Sequence, residues 1–344
     1  MTTTPVPDET QAVETAPPRR SWLATRSTAF WVSIITVVVF VGFGIMSRNG
    51  VFFGPTSISG MLLDASTGLM LAVGMAYLLA AAQLDLSVGS NIVLSSVIAI
   101  KVLTGLVAAG WGVPGAALVS VIAAIVSGCL FGVVNGLIVT RMRVNALIAT
   151  LGTGGIALGL ILVATGGVNI AGVPAELQRG FGTATIFGIL PTPTLIGVVV
   201  CAALWYLMRI TRVGTSIRAV GSSTEAAVRN GIRSKGVVIR LFVLMGAIAG
   251  LSGFLTIARF GTTNIAGNAD ASLTAIAAAV IGGTSLFGGV VSIGGSMIGA
   301  LLPIVLGSGL IVIGVQSFYQ RIVVGVILIL AVYVDQQRRS RRET

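Results

Sequence analysis

The stretch VPGAALVSVIAAIVSGCLFGVVNGLIV, from Val113 to Val139, decides the fold class. It contains no charged residue and exceeds the about 20 apolar residues that a helix needs to cross a bilayer. The rest of the chain has the same character, since 55% of its residues are hydrophobic and 9% are charged. Soluble domains average about 25% charged residues. The composition therefore predicts an integral membrane protein.

The apolar runs predict an all-α protein, a polytopic bundle of about ten transmembrane helices. The run Leu273–Gly283 is well below spanning length, so we expect some helices to be short or broken. The ten predicted spans are Phe30–Met46, Ile58–Ala82, Val88–Val107, Val113–Val139, Leu147–Thr165, Thr192–Met208, Leu241–Ala258, Leu273–Gly283, Val290–Gly307 and Ile322–Val334.

The polar segments predict the domain organisation and the orientation. Residues 1–27 are expected to form a disordered cytoplasmic tail, 28–336 the transmembrane domain and 337–344 a basic cytoplasmic tail. An N-terminus inside the cell places most of the 21 Lys and Arg residues in inside segments, among them the loop of about 212–240. The net charge of +11 is therefore a topology signal, and no soluble module is available to present it to nucleic acid.

Several kinds of chemistry are missing from the sequence. The chain has no His, and it contains neither a GxxxxGK[ST] phosphate loop nor a set of residues for nucleophilic catalysis. We therefore expect no enzyme activity, no catalytic residue, no cofactor and no metal site. Cys129 and Cys201 both lie in apolar runs, where we expect small buried residues rather than a disulfide.

Polar residues inside the apolar region are the candidates for function, because they are costly there. Asp85 lies in a polar break, QLDLSVGSN, from Gln83 to Asn91. Asp85 or Ser87 is expected to cap the following helix, and the same break is compatible with a polar pathway through the membrane. Asp64 stands alone in its span and is expected to bond a neighbouring helix.

The longest charged stretch, RAVGSSTEAAVRNGIR from Arg218 to Arg233, is predicted to be a short helix on the inner side. Ser222, Ser223 and Thr224 offer N-caps, and Gly231 offers a C-terminal stop. Its basic residues fit two roles equally: contact with anionic lipid, or docking of another protein.

Small residues dominate the tract Gly282–Gly289, which is expected to be a bend where backbones approach closely, with a hinge as the alternative. Residues near Leu84 and Ser285 share a pattern at an offset of 200 that pairs Gly89 with Gly289. We take this as a candidate internal repeat, of the kind found in transporters built from repeated halves.

Five segments together resemble one family, the permease subunits of monosaccharide ABC importers of the ribose, xylose and galactose type, which also includes autoinducer-2 permeases. The resemblance covers about residues 30–335. One departure concerns Asn145-Ala146-Leu147, which stands where the family has Pro-Pro-Phe and leaves the substrate open. The segments are LDLSVGS (Leu84–Ser90), NGLIVTRMRVNALIATLGT (Asn135–Thr153), GTSIRAVGSSTEAAVRNGI (Gly214–Ile232), AIAAAVIGGTSLFGGVVSIGGSMIGAL (Ala275–Leu301) and SFYQRIVVGVILILAVYVD (Ser317–Asp335).

The resemblance implies a multi-pass protein of the bacterial cell membrane with both termini cytoplasmic. Its implied partners are a second permease chain, identical or related, a cytoplasmic ABC ATPase, an extracytoplasmic sugar-binding protein and membrane lipid. The inner helix then resembles the coupling helix that docks into the ATPase, and a neutral sugar would pass between two permease chains. The residues expected to dock are Glu225, Ala226, Arg229, Asn230 and Gly231. The residues expected to line the pathway are Asp85, Ser87, Asn91, Asn145 and Asn264.

Other functions are compatible with the sequence. An ABC importer of this type can carry autoinducer-2 or a nucleoside-like solute. An ion-driven secondary carrier would use the carboxylates of Asp64 and Asp85 and would not need the inner helix. A passive channel would need a continuous polar lining, and a membrane scaffold without transport is a weaker alternative.

Overall fold

The computed structural model describes residues 28–316 and the isolated positions 319, 322, 325, 326 and 329. Over this part the protein is an all-α polytopic bundle, and a β-hairpin pairs β1 (Thr185–Ile186) with β2 (Leu190–Pro191). The helices are α1 Thr28–Met46, a 3₁₀ turn Arg48–Phe53, α2 Pro55–Ala80, α3 Val88–Ala108, α4 Val113–Arg141, α5 Ala146–Thr165, α6 Ala175–Leu177, a π turn Gln178–Gly182, α7 Thr192–Ile210, α8 Arg212–Ser222, α9 Thr224–Arg229, α10 Ser234–Phe260, α11 Ala271–Ile281 and α12 Ile293–Val312.

Eight helices within the described residues are long and apolar enough to cross a membrane: α1 to α5, α7, α10 and α12. Helix α11 has 11 residues, which confirms that the predicted span at Leu273–Gly283 is short. The tenth predicted span, Ile322–Val334, falls outside the described residues apart from isolated positions, as do the two predicted tails, 1–27 and 337–344.

The helix boundaries follow from residues with a fixed or permissive backbone. A proline stands in the first turn of α2, α4 and α7, where its missing N–H leaves no hydrogen bond unmade. Gly166 and Gly261 end α5 and α10 in the left-handed conformation, with φ of 64° and 73°.

Helices α4 and α10 pack closely through glycines. A Cβ added to Gly128 would lie 2.1 Å from the carbonyl oxygen of Gly246, and a Cβ on Gly246 would lie 2.1 Å from that of Gly128. Such small residues let membrane helices approach at the backbone. Of the eight spanning helices, α2 and α10 are the most deeply buried in the bundle, and the polar groups described below are arranged around them.

The internal repeat at an offset of 200 stays a prediction, and one of its pairs, Gly89 with Gly289, does not occupy equivalent positions. Gly89 lies in the first turn of α3, whereas Gly289 lies in the connection before α12 with a φ of 76°. With 46 glycines in the chain, short matches of small residues arise by composition alone.

Candidate functional site

Helix α9 has the caps that the sequence predicted. The Ser223 hydroxyl accepts a hydrogen bond from the Ala226 N–H at 3.2 Å, and Gly231 ends the helix with a φ of 79°. Glu225 and Arg229 form an ion pair of 2.6 Å with both side chains more than three-quarters exposed. Asn230 donates to the carbonyl of Ala226 at 2.9 Å. We call the exposed side chains of α9 and its C-terminal turn, with the five residues predicted to dock, the inner surface, after the side of the membrane on which the sequence predicts them.

The sequence predicted one short helix in Arg218–Arg233, and the structure corrects this. Arg218 belongs to a separate helix, α8, which buries Gly214, Ile217 and Val220. The three residues are spaced by three, so one helix face is apolar while the rest is polar. The inner segment therefore consists of a helix packed on the bundle, α8, followed by the more exposed α9.

Helix α8 contacts the bundle at its backbone. A Cβ on Gly221 would lie 1.8 Å from the Ala80 carbonyl oxygen at the end of α2, so only glycine fits. The Gly289 N–H donates to the same Ala80 oxygen at 3.0 Å. The Gly282–Gly289 tract thus forms the close backbone contact that its composition predicted, and it joins α8 to α2.

A buried polar cluster lies just beyond this contact, where the α2–α3 connection meets α4 and α5. The Ser87 hydroxyl donates to the Asp85 carboxylate at 2.5 Å and accepts from the Asn135 amide at 2.8 Å. The Asn135 oxygen in turn accepts from the Thr153 hydroxyl at 2.6 Å. All four side chains are buried. We call these four residues the buried cluster.

The capping role expected at Asp85 and Ser87 is different in detail. Ser87 is the N-cap residue of α3, but its hydroxyl makes no capping hydrogen bond. Instead, the Asp85 carboxylate accepts the Ser87 N–H at 2.9 Å. Burial raises the pKa of Asp85 to about 6, and the hydrogen bonds from Ser87 oppose this rise.

The same connection is tied to two more helices. The Leu86 N–H donates to the Thr150 hydroxyl of α5 at 3.0 Å, and the Leu86 carbonyl accepts from the Ser272 hydroxyl of α11 at 2.9 Å. A Cβ on Gly89 would lie 2.2 Å from the carbonyl oxygen of Asn268, just before α11. The polar break at Asp85 therefore sits between α4, α5 and α11.

The other predicted pathway residues lie in three different places. Asn91 is buried and donates to the Gly128 carbonyl of α4 at 3.4 Å. Asn145 is exposed and caps α5 by accepting the Leu147 N–H. Asn264 lies at the opposite end of the bundle, in the segment between α10 and α11. The five predicted residues therefore do not share one surface.

Asn264 lines a cavity of about 220 Å³ between α2, α10 and the segment before α11. We call it the outer cavity because it lies at the end of α10 that is away from α9. Asp64 and Arg259 form a 2.6 Å ion pair there, which confirms that Asp64 bonds a neighbouring helix. The lining residues are Leu63, Asp64, Ser66, Thr67, Pro193, Leu255, Thr256, Arg259, Phe260, Asn264, Gly267 and Asn268.

Two further cavities differ in character. One, of about 440 Å³ between α4, α6, α7 and α10, is lined almost entirely by apolar side chains, with Glu176 at its rim. The other, of about 410 Å³, lies between the α2–α3 and α4–α5 connections and is lined by Gln83, Arg143 and Asn145 together with apolar residues.

The comparisons with known proteins agree with this architecture. Residues 57–332 match the family described as "Branched-chain amino acid transport system / permease component". The chain belongs to this permease family. No solved structure matches the permease.

Characterised relatives of the permease are named as sugar and signal-molecule permeases. The ribose import permease RbsC of Escherichia coli K12 is 35% identical, with 93% of this chain and 96% of the relative covered. The L-arabinose ABC transporter permease AraH of Azospirillum brasilense is 32% identical, with 85% and 83% covered. The autoinducer 2 permease LsrC of Yersinia pseudotuberculosis is 31% identical, with 89% and 84% covered.

The structure of the permease adds polar residues that are not among the predicted pathway residues. Asn135 and Thr153 complete the buried cluster, and Thr67, Thr256 and Arg259 line the outer cavity. The sequence signal that could have identified most of them is a polar side chain inside an apolar run. This holds for Asn135, Thr153, Thr67 and Thr256. Within the described residues, no group of three His, Cys, Asp or Glu could hold a metal ion.

Proposed function

We propose that the permease is the transmembrane subunit of an ATP-driven importer that carries a monosaccharide or a similar neutral polyol. The observation that carries the proposal is the 35% identity to the ribose permease over 93% of the chain. Relatives named for arabinose and allose support the same solute class. The protein would lie in the bacterial cell membrane with both termini in the cytoplasm, and it would work as a pair of permease chains.

The ATPase would dock on the inner surface. The exposed Glu225–Arg229 pair offers both signs of charge to a partner, and Ala226 beside it leaves room for the partner's side chains. Helix α8 links this surface to the end of α2 through backbone contacts, so movement at α9 reaches the bundle as rigid-body motion. A separate chain would hydrolyse ATP, since the permease has no phosphate loop.

The solute would be delivered by an extracytoplasmic binding protein. A neutral polyol needs hydrogen-bonding groups rather than a fixed charge, and charge is scarce in the spans. An ion-coupled carrier is less well supported, because the Asp64 carboxylate is already paired with Arg259. One relative is named for autoinducer 2, so this molecule is a second candidate solute and belongs in the uptake test below.

The test uses proteoliposomes that contain the permease with candidate ATPases encoded beside it and a purified binding protein. We expect uptake of D-ribose, L-arabinose or D-allose that requires ATP and the binding protein. Uptake that persists without ATP and collapses with the ion gradient would refute the proposal.

Two variants test the docking role. Glu225→Arg changes the charge of the inner surface, and Gly231→Trp places a large side chain where the left-handed backbone favours glycine. Both are expected to abolish uptake while the protein stays in the membrane. Wild-type uptake by both variants would show that the ATPase does not dock here.

A further inference from the structure

The outer cavity combines groups that recognise neutral hydroxylated molecules. Its two charges, Asp64 and Arg259, are paired with each other at 2.6 Å, and the lining contains no other charged side chain. The pair therefore presents a carboxylate acceptor and guanidinium donors without net charge. A neutral molecule with both donors and acceptors can use them together, whereas an ion gains no net attraction.

Further polar groups surround this pair. Thr67 and Thr256 are half-buried, and each hydroxyl donates to a backbone carbonyl of its own helix. A hydroxyl that donates once still has lone pairs to accept from a ligand. Phe260 adds an aromatic ring, and the Arg259 guanidinium carbon lies over one face of it, 4.8 Å from the ring centroid. Polar edges beside an apolar ring suit a sugar, which has hydroxyl edges and C–H faces.

The size of the cavity also limits its occupant. A volume of about 220 Å³ lies below the roughly 300–1,000 Å³ of pockets for drug-sized ligands. The cavity therefore suits a monosaccharide better than a disaccharide. The larger cavity beside α4 has the volume, but Glu176 is the one polar side chain in its lining, so it fits hydrocarbon better than a sugar.

The segment that lines the outer cavity before α11 is connected to the buried cluster. Asn264 and Asn268 line the cavity, and they belong to the segment that leads into α11. The Asn268 carbonyl lies against Gly89, and Ser272, four residues later, donates to the Leu86 carbonyl. A molecule held in the cavity therefore lies next to the first of a continuous set of contacts that ends at Asp85 and Ser87.

We propose that the outer cavity is a binding site for one monosaccharide within a single permease chain, with the Asp64–Arg259 pair and the hydroxyls of Thr67 and Thr256 as its polar contacts. The inference rests on the proposed function, because it assigns the place where the transported sugar first meets the permease after leaving the binding protein.

The first experiment detects occupancy without transport. Thr67→Cys is labelled with a thiol reagent in membranes that lack the binding protein, with D-ribose, sucrose or L-leucine present at equal millimolar concentration. D-ribose is expected to slow labelling at least about twofold. Sucrose, which is larger than the cavity suits, and L-leucine, which lacks the hydroxyls, are expected to protect less. Thr104→Cys, which does not line the cavity, is the matched control, and the unmodified chain measures labelling of Cys129.

The results separate cleanly. Protection by D-ribose at Thr67→Cys but not at Thr104→Cys supports the site. Equal labelling with and without D-ribose overturns it, and so does protection by L-leucine alone, which would make the cavity an amino-acid site.

A second variant pair measures the effect on transport. Thr256 and Thr104 both donate to the carbonyl four residues earlier at 2.8 Å, so Thr→Val makes the same local change at each. Thr256→Val is expected to reduce D-ribose protection and the uptake rate by roughly 2- to 10-fold, the value of one lost hydrogen bond, and Thr104→Val neither. If wild-type uptake requires ATP but Thr256→Val behaves like Thr104→Val, the site is refuted and the importer stands. If wild-type uptake does not require ATP, the proposed function itself fails.

Discussion

The Glu225–Arg229 ion pair gives the sharpest test of the inner surface, because its charges can be exchanged without losing the pair. Glu225→Arg alone places two positive charges at positions i and i+4 of α9. The double variant Glu225→Arg/Arg229→Glu restores an ion pair within the helix but reverses the charges that a partner meets. A role inside α9 and a role in docking therefore predict opposite results for the double variant.

The magnitudes differ enough to separate the two roles. Both side chains are more than three-quarters exposed, and such a surface pair contributes about 0.2–1 kcal/mol. A like-charge pair on a helix costs a similar small amount, so neither variant should unfold the permease. Removing a charge from a hydrogen-bonded pair buried in an interface costs about 2–5 kcal/mol, or about 30-fold or more in affinity.

The assay is ATP-dependent sugar uptake in proteoliposomes, with co-purification of the ATPase measured on the same samples. We expect the single and double variants to lose uptake and ATPase co-purification by at least about 30-fold, while the melting temperature stays close to wild type. Arg212→Glu, an exposed inner-side reversal outside α9, should retain uptake. Full recovery in the double variant would show that the pair acts only within the helix and would refute docking through these charges.

Three further predictions concern the region around Asp85. Asp85→Asn removes a buried charge. Because the pKa of Asp85 in the folded protein is raised to about 6, the wild type should gain stability as the pH falls through 6. The variant should therefore have a higher melting temperature than the wild type at pH 8 and a smaller difference at pH 5, and a difference that stays constant with pH would contradict this. Gly89→Ala would place a Cβ 2.2 Å from the Asn268 carbonyl oxygen, which should lower stability by about 1–3 kcal/mol and remove most of the uptake. Gly105→Ala, in the same helix but with open space around it, should be tolerated. Equal melting temperatures for the two variants would refute the clash. Asn135→Leu removes the amide that donates to the Ser87 hydroxyl and accepts from the Thr153 hydroxyl, and it should lower stability by about 1–3 kcal/mol. A wild-type melting temperature would show that the cluster is not tightly bonded.

The sequence predicted the spanning helices well because each is set by a local property, the length of an apolar run. The α9 caps were predictable for the same reason, since Ser223 and Gly231 act within a few residues of their position. Helix α8 was missed although its buried face, Gly214, Ile217 and Val220, has helical spacing. The stretch Arg218–Arg233 was interpreted as one helix from its charged residues, and the apolar positions between them were not considered.

The contacts that build the two polar sites could not be read from the sequence. Asn135 meets Ser87 across 48 residues, and Arg259 meets Asp64 across 195. Asn135 and Asp64 were visible as polar groups inside apolar runs, and Ser87 and Arg259 as polar groups at the ends of such runs. The pairing, however, depends on how the helices pack. A lone sequence carries no information on that packing, so Asp64 was predicted to bond a neighbour without the neighbour being identified.

The positions of the inner surface and the buried cluster favour the transmission of movement through backbone contacts rather than through side chains. Gly221 contacts the Ala80 carbonyl with no room for a Cβ, and Gly289 donates to the same oxygen. Side chains can absorb a displacement by changing rotamer, but two backbones in contact must move together or separate. Asp85 follows Ala80 by five residues, so a displacement of α8 at this contact would act on the chain that carries the buried cluster. Weakening the contact should therefore uncouple ATP hydrolysis from uptake while leaving ATPase binding intact, which is a different loss from that expected for changes in α9.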